Sequence, residues 1–389
     1  MNYYLSLSNQ ASSYYHIMTI NPKTQVKFNQ SGKTAFFQTL KSRIDKHFVE
    51  AGHSKHANAA MVIKTISMLV IYLAPFTALI FLQPTWPVAL LLWILMGTGL
   101  AGIGMSVMHD ANHGAYSSNK NINRLVGHTL NMVGGSVSNW KIQHNILHHT
   151  YTNITHLDED IADKGVLRFS PHTPARKGLR FQYLYACAFY AIMTLYWLVA
   201  KDFVQFVKYR KSGMNQGYGS KSPGLVLLKI IGDKILYYAV FIGIPLYFQM
   251  PLWILVTGFL LMHFTAGIIL TLVFQIAHSV EETVHPLPDE HGNIDNAWAI
   301  HQMETTMNFA TKNRFLTWYL GGLNFQVEHH LFPSICHIHY PAIAPIVKQT
   351  AQEFGIPYLE KKTFSEGIAS HFRLLQKLGK LPAASEAIA

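Results

Sequence analysis

The sequence predicts an all-α, multi-pass membrane protein, with four transmembrane helices beneath a cytoplasmic helical cap that holds a two-metal histidine site. Three observations carry that prediction. Half of the 389 residues are hydrophobic and only 13% are charged, against about 25% charged in soluble domains. Several apolar runs are long enough to cross a bilayer. Finally, 22 histidines are present, and many of them gather just beyond those runs.

Residues 61–82, "MVIKTISMLVIYLAPFTALIFL", form the first expected span, with Lys64 near the membrane surface, where its stem can snorkel. Residues 88–108, "VALLLWILMGTGLAGIGMSVM", form the second and contain no charge. Its Gly97, Gly99, Gly102 and Gly104 would let neighbouring helices approach closely. The connecting "QPTWP", 83–87, has no Lys or Arg, so the positive-inside rule puts it outside and both flanks in the cytoplasm. Further spans are expected at 235–250 and 252–277, joined by a second turn without Lys or Arg.

Residues 181–200 are apolar but flanked by Arg180 and Lys201 within a basic region. A crossing there would separate the histidine clusters onto opposite faces. The segment is therefore read as an interfacial helix, a reading that depends on a single metal site. The domain reading is a basic tail over 1–60, a membrane domain over 61–350 and a cytoplasmic tail over 351–389. Within the first, "FFQTLKSRIDKHF", 36–48, spaces Phe36, Phe37, Leu40, Ile44 and Phe48 as an amphipathic helix. The first twenty residues lack a basic start and apolar centre, so no cleavable leader is expected. The net charge of +11 borders the apolar runs and is read as a topology signal, with no nucleic-acid partner. The two cysteines, Cys187 and Cys336, form no CxxC pair, which argues against a cysteine-held zinc or iron–sulfur site within the chain.

The stretch "QHNILHHTYTN", 143–153, packs three imidazoles into six positions. Buried charged histidines repel one another, and several neutral ones together suit a metal. His109 and His113 in "HDANH" stand one helical turn apart on one face. In the second cluster His144 and His148 share a face, and His149 is turned about 100° away, toward a second ion. The third cluster is "QVEHH", with Gln326, His329 and His330, and His278 closes the last span at the depth of His109. So many imidazoles exceed one tetrahedral zinc and point to two metals among iron, copper, nickel and zinc. Asp110, Asp158, Asp160, Glu281, Glu282 and Glu328 are candidate acceptors for imidazole N–H groups. His263 reads as an intramembrane hydrogen-bonding residue. His53, His56, His291, His337 and His339 read as surface or interface residues.

The order HDANH, HNILHH, QVEHH, with the spans between, resembles the membrane-bound fatty acyl desaturases over residues 60–350. Gln326 opening the third box, with "HHTYTNITHLDEDI", "WAIHQMETTMNFA" and "GGLNFQVEHHLFPSICHIHY", resembles the front-end, linoleoyl-CoA-type branch. The resemblance implies that His109, His113, His144, His148, His149, His278, His329 and His330, with Gln326 nearby, hold two irons. These activate O2 to make a cis double bond in a fatty acyl substrate. An HPGG haem-domain motif of the kind fused to many such enzymes is absent. The resemblance therefore implies a separate donor, a ferredoxin or cytochrome b5, which would meet the basic cytoplasmic surface.

Unactivated C–H bonds demand an oxidising power that imidazole-bound iron reaches and zinc does not. An apolar tunnel flanked by Trp140, Tyr151, Phe274 and Phe325 would present the chain and exclude water. The expected location is an integral membrane position among lipids, a bacterial inner membrane ahead of the endoplasmic reticulum. Two alternatives stay open: a di-iron hydroxylase or alkane monooxygenase with similar boxes, and, from another class, a metal transporter. A transporter would carry its ligands inside the spans, where only His263 lies.

Overall fold

A computed structural model describes residues 26–29, 34–214 and 222–380. The remaining parts of the expected N- and C-terminal tails, including residues 1–25 and 381–389, lie outside the described residues. The chain is helical, with two short parallel strand pairs: β1 Lys27–Phe28 on β2 Asn293–Ile294, and β3 Asn308–Phe309 on β4 Glu360–Lys361.

Helix α1, Thr34–Ala51, buries the stripe Phe36, Leu40, Ile44 and Phe48. These pack on Met303, Val327, Ile343 and Val347 of the C-terminal region. The amphipathic face therefore meets protein.

Three described helices are long and apolar enough to cross a membrane: α2 Ala59–Leu82, α3 Trp86–His113 and α9 Leu252–His278. The number rises to four if a bent pair, α6 Lys177–Ala191 and α7 Met193–Lys211, makes one span. Helix α3 lies between α2 and α9. Glycines permit that closeness: a Cβ on Gly97 would stand 2.5 Å from the Met262 carbonyl oxygen, and one on Gly99 would stand 2.7 Å from the Tyr72 nitrogen. The outer faces expose Ile63, Ile66, Val70, Leu91, Leu252 and Val256, as a lipid-facing surface requires. Trp86 and Trp253, with ring centroids 6.1 Å apart, and exposed Tyr247 form an aromatic belt at one end.

The expected span 235–250 lies in α8, which runs from Pro223–Tyr238 through a π turn at Ala239–Gly243 to Ile244–Tyr247. Its far turn touches the α2–α3 turn, where the Gln83 amide reaches the Phe248 carbonyl at 3.5 Å. The α6–α7 pair is bent by 53°. Gly379 beside Leu179 meets its start, and Gln205 near its end donates to Gln143 and Glu159. Between them Thr194 reaches the His263 carbonyl at 2.8 Å. His263 is the hydrogen-bonding residue expected, 3.1 Å from both the Tyr237 and the Thr194 hydroxyls.

Two expectations are corrected. Lys64 does not snorkel: it is 2% exposed, with its ammonium 2.7 Å from His337 Nε2. His337 is no surface residue; it is 2% exposed, and its Nδ1 lies 2.8 Å from Asp110. The C-terminal helix α13, Phe364–Lys380, packs on α6 and α9 and buries His371 between Tyr190 and the Ser279 carbonyl.

Candidate metal centre

Four elements bring the nine sequence-proposed residues together. Helix α3 ends in His109 and His113, just after a π turn over Ile103–Val107. Helix α5 starts at Val137–Trp140, widens into a π turn over Lys141–His148 and ends at His149–Tyr151. Helix α9 supplies His278 at its last turn, and α11, Gln326–Leu331, supplies Gln326, His329 and His330. Eight of the nine are buried, and His113 is half-buried.

The π turn refines the reading of the second box. In an α-helix His149 would stand about 140° around from His144. Here the His149 amide donates to the His144 carbonyl, the i→i+5 bond of a π turn, which stacks one above the other. His149 Nε2 then lies 3.2 Å from His144 Nε2, and His109 Nε2 lies 3.1 Å from the same atom. Nitrogens bound to one divalent ion at about 2.1 Å each stand about 3 Å apart at a right angle.

Two groups result. His109, His113, His144 and His329 place one nitrogen each within 4.8 Å of one another, and so do His148, His278 and His330. His149 sits between them, its ring centroid 4.6 Å from His329 and 4.3 Å from His330. Gln326 Oε1 and the Nε2 atoms of His113, His148, His278, His329 and His330 are buried without a hydrogen-bond partner. A buried polar atom left unpaired costs about 1–3 kcal/mol, so this concentration fits a group that takes lone pairs. The donor set is nitrogen-rich and has no thiolate, and it fits two borderline metal ions such as iron.

For four of these rings, His148, His278, His329 and His330, the opposite nitrogen is tied down, which leaves Nε2 free to face inward. His148 Nδ1 donates to Asp158 at 3.1 Å, and His278 Nδ1 reaches the Thr305 carbonyl at 3.3 Å. His329 Nδ1 pairs with the Tyr340 hydroxyl at 3.2 Å, and His330 Nδ1 with Gln302 Oε1 at 2.8 Å. Burial first, then the neighbouring imidazoles, lower His144, His149, His329 and His330 well below the ordinary histidine range, so these rings are neutral. Burial opposes charge on Asp158 as well, but His148 and the amides of Asn153 and Asp160 hold its carboxylate below the usual range.

Of the six expected carboxylate acceptors, Asp158 and Asp160 face His148, while Asp110 faces His337. Glu328 turns away to Asn308 and Tyr358, and burial raises it to about 7. Glu281 pairs with Arg373, and Glu282 with Lys361. Asp110, Cys336 and His337 also cluster, but the Lys64 ammonium supplies the positive charge there. Sequence reading missed Gln302, Tyr340 and Thr305. Their positions inside "WAIHQMETTMNFA" and at the end of "CHIHY" were the available signal.

A cavity of about 480 Å³ reaches the centre, touching His109, His144, His329 and Gln326. Trp140 and Phe274 line it, as do Leu100, Met105, Met193 and Leu270. Tyr151 instead stacks on Phe28, and Phe325 belongs to the core under α1. The arrangement is a buried poly-imidazole centre opening onto an apolar chamber in a membrane-spanning helical frame, which defines a membrane oxidoreductase for a long apolar substrate.

A sequence model of the fatty acid desaturase family matches residues 84–362, and the chain belongs to that family. It is 38% identical to the sn-1 linoleoyl-lipid 6-desaturase of Synechocystis sp., over 92% of this chain and 98% of that protein. It is 34% identical to the sn-1 linoleoyl-lipid 6-desaturase of Arthrospira platensis, over 92% and 96%. The acyl-lipid (8-3)-desaturase of Physcomitrium patens is 30% identical over 92% of this chain and 74% of its own length. The protein is a fatty acid desaturase.

Proposed function

We propose that the protein forms a double bond at position 6 of a linoleoyl chain esterified in a membrane lipid, using two irons held by His109, His113, His144, His148, His149, His278, His329 and His330, with Gln326 beside them. The observation that carries this reading is the pair of imidazole groups, with their buried unpaired nitrogens, at the wall of an apolar cavity. Bound there, the irons would supply the activation of dioxygen that an unactivated chain requires. The electrons balance: dioxygen takes four, two from the chain as it loses two hydrogens and two from an external donor, giving water.

The chain's own residues do the rest. Asp158, Gln302, Tyr340 and the Thr305 carbonyl fix the ring orientations. Trp140, Phe274, Leu270 and Met193 hold the acyl chain and keep water from it. The similarity to two linoleoyl-lipid 6-desaturases supports the substrate and the position. The net charge of +11 suits an acidic ferredoxin or cytochrome b5 as donor.

The topology reading has four spans, α2, α3, α8 and α9, with the centre on the cytoplasmic face of a bacterial inner membrane. Support comes from the contact between the 83–87 and 248–251 turns. The α6–α7 pair would dip into the bilayer and return, since groups near both of its ends meet elements at the histidine end.

The test is to express the chain in a host without polyunsaturated lipids and feed stearate or linoleate. Linoleate should give the 6,9,12-triene. Oleate from stearate alone would refute the position, and a hydroxylated product would favour the monooxygenase reading. Purified protein should carry close to two irons, and His148→Ala or His329→Ala should abolish turnover while the chain stays in the membrane.

A further inference from the structure

The cavity wall is chemically divided. Most of it is hydrocarbon and aromatic, but Gln143, Asp160, Lys164 and Lys201 form a polar patch in the same wall. That patch lies beside the metal centre. Gln143 precedes His144 and donates to Asp160 at 2.6 Å, and Asp160 Oδ2 stands 3.6 Å from His148 Nδ1.

Lys201 is the unusual member. It is half-buried at the end of the π turn Trp197–Lys201, with its ammonium 4.4 Å above the Trp197 ring. It is in none of the ion pairs within 4.0 Å among the described residues, and the Asp160, Asp202 and Glu159 carboxylates act on its charge from farther away while Lys164 opposes it. Burial disfavours that charge, a cost that an oxygen acceptor within hydrogen-bond reach offsets. Its platform is fixed. Trp197 Nε1 donates to Asp202 at 3.1 Å, and the buried Asp202 carboxylate also takes Lys234 at 2.6 Å. Lys164, exposed, stands in the same wall and gives the patch a second positive charge.

We propose that Lys201, with Lys164 nearer the solvent, binds the oxygen-rich head end of the acyl substrate and so sets which carbons meet the metal centre. The reading rests on the desaturase site described above. The shared chemistry is a carbonyl or phosphate oxygen accepting from the ammonium. With the head end beside the metals, only a short carboxyl-side segment separates it from the reacting carbons. The long methyl-side portion then runs along Leu270, Met193 and Phe274. Bond formation near the carboxyl end follows from where the cation sits. Lys201 acts as a positioning residue, since nothing in the chemistry passes through it.

The experiment compares full-length wild type, Lys201→Met, Lys201→Arg and Lys164→Met in the linoleate-fed host, with double bonds located by mass spectrometry and iron measured on purified protein. Lys201→Met should keep wild-type iron, lose tenfold or more of its conversion and spread the new bond over several positions. Lys201→Arg should restore one position, and Lys164→Met should lower conversion less than Lys201→Met without moving the bond. In isolated membranes, a Lys201→Met defect of equal size on linoleoyl glycerolipid and linoleoyl-CoA puts the lysine at the shared carbonyl. A defect confined to the glycerolipid puts it at the head group. Wild-type conversion and position in Lys201→Met would overturn the proposal. If that variant is absent from the membrane, Lys201→Gln takes its place under the same criteria. Absence of any alkene from wild type would instead overturn the linoleoyl reading and leave the lysine role without its basis.

Discussion

Asp158 occupies an instructive position: one buried carboxylate takes His148 Nδ1 at 3.1 Å and the Asn153 amide at 2.9 Å. Asp158→Asn should therefore leave the fold in place while His148 loses its orienting charge. Removing such a partner typically costs 10–100-fold in metal affinity or activity, so iron per chain and turnover should both fall within that range. The Lys64–His337–Asp110 chain gives a second prediction. Breaking a buried charge network costs about 3–5 kcal/mol, so Lys64→Met should markedly lower the melting temperature in detergent. Asp110→Asn in the same chain should recover part of that loss, read as a double-mutant cycle. The nine centre residues were legible because their identities and spacings recur locally. Gln302, Tyr340 and Lys64 were not, since their partners His330, His329 and His337 lie 28, 11 and 273 positions away and no single-turn helical spacing links them. The six carboxylates looked equivalent for the same reason, and only packing separates Asp158 from Glu328.

Helix α5 shows what local geometry adds. The i, i+4 spacing places His144 and His148 on one face but leaves His149 aimed elsewhere, and the widened turn stacks His149 over His144. Inserting one alanine after Ile146, within that turn, should rotate His148 and His149 about 100° relative to His144. The expected outcome is a membrane-inserted protein with less than half the wild-type iron. Retention of both irons would show that the register set by the widened turn is dispensable. Helix α1 was legible from its periodicity, but the sequence left open whether its apolar face met the membrane or the catalytic domain, because the covering residues lie some three hundred positions downstream. The bend between α6 and α7 was also hidden, since hydropathy counts apolar residues without registering a break at Ile192.

For the whole molecule, the parity of crossings gives a direct test. Tags within 83–87 and 249–251 should report outside, and a tag after Gly213 inside. An outside signal after Gly213 would make α6–α7 a full crossing and contradict the four-span reading. Apolar runs made α2, α3 and α9 legible as helices long enough to cross a membrane. The packing of α13 onto α6 and α9 was not, because Phe364–Lys380 has the composition of an ordinary surface helix and reads as part of a tail.

The imidazoles come from positions 109 to 330, and they meet only when the chain between them is in place. During synthesis His109 and His113 are therefore made long before the partners that complete their group. Every apolar helix precedes His329 and His330, so insertion into the bilayer is finished before the last ligands exist. Loading of metal is then a late step of biogenesis, performed on a chain already committed to the membrane. The α13 helix follows, fastening His371 to the Ser279 carbonyl one residue past His278. If the two metals are iron as proposed, a cell short of iron would accumulate inserted, inactive protein that a later supply could awaken without new synthesis.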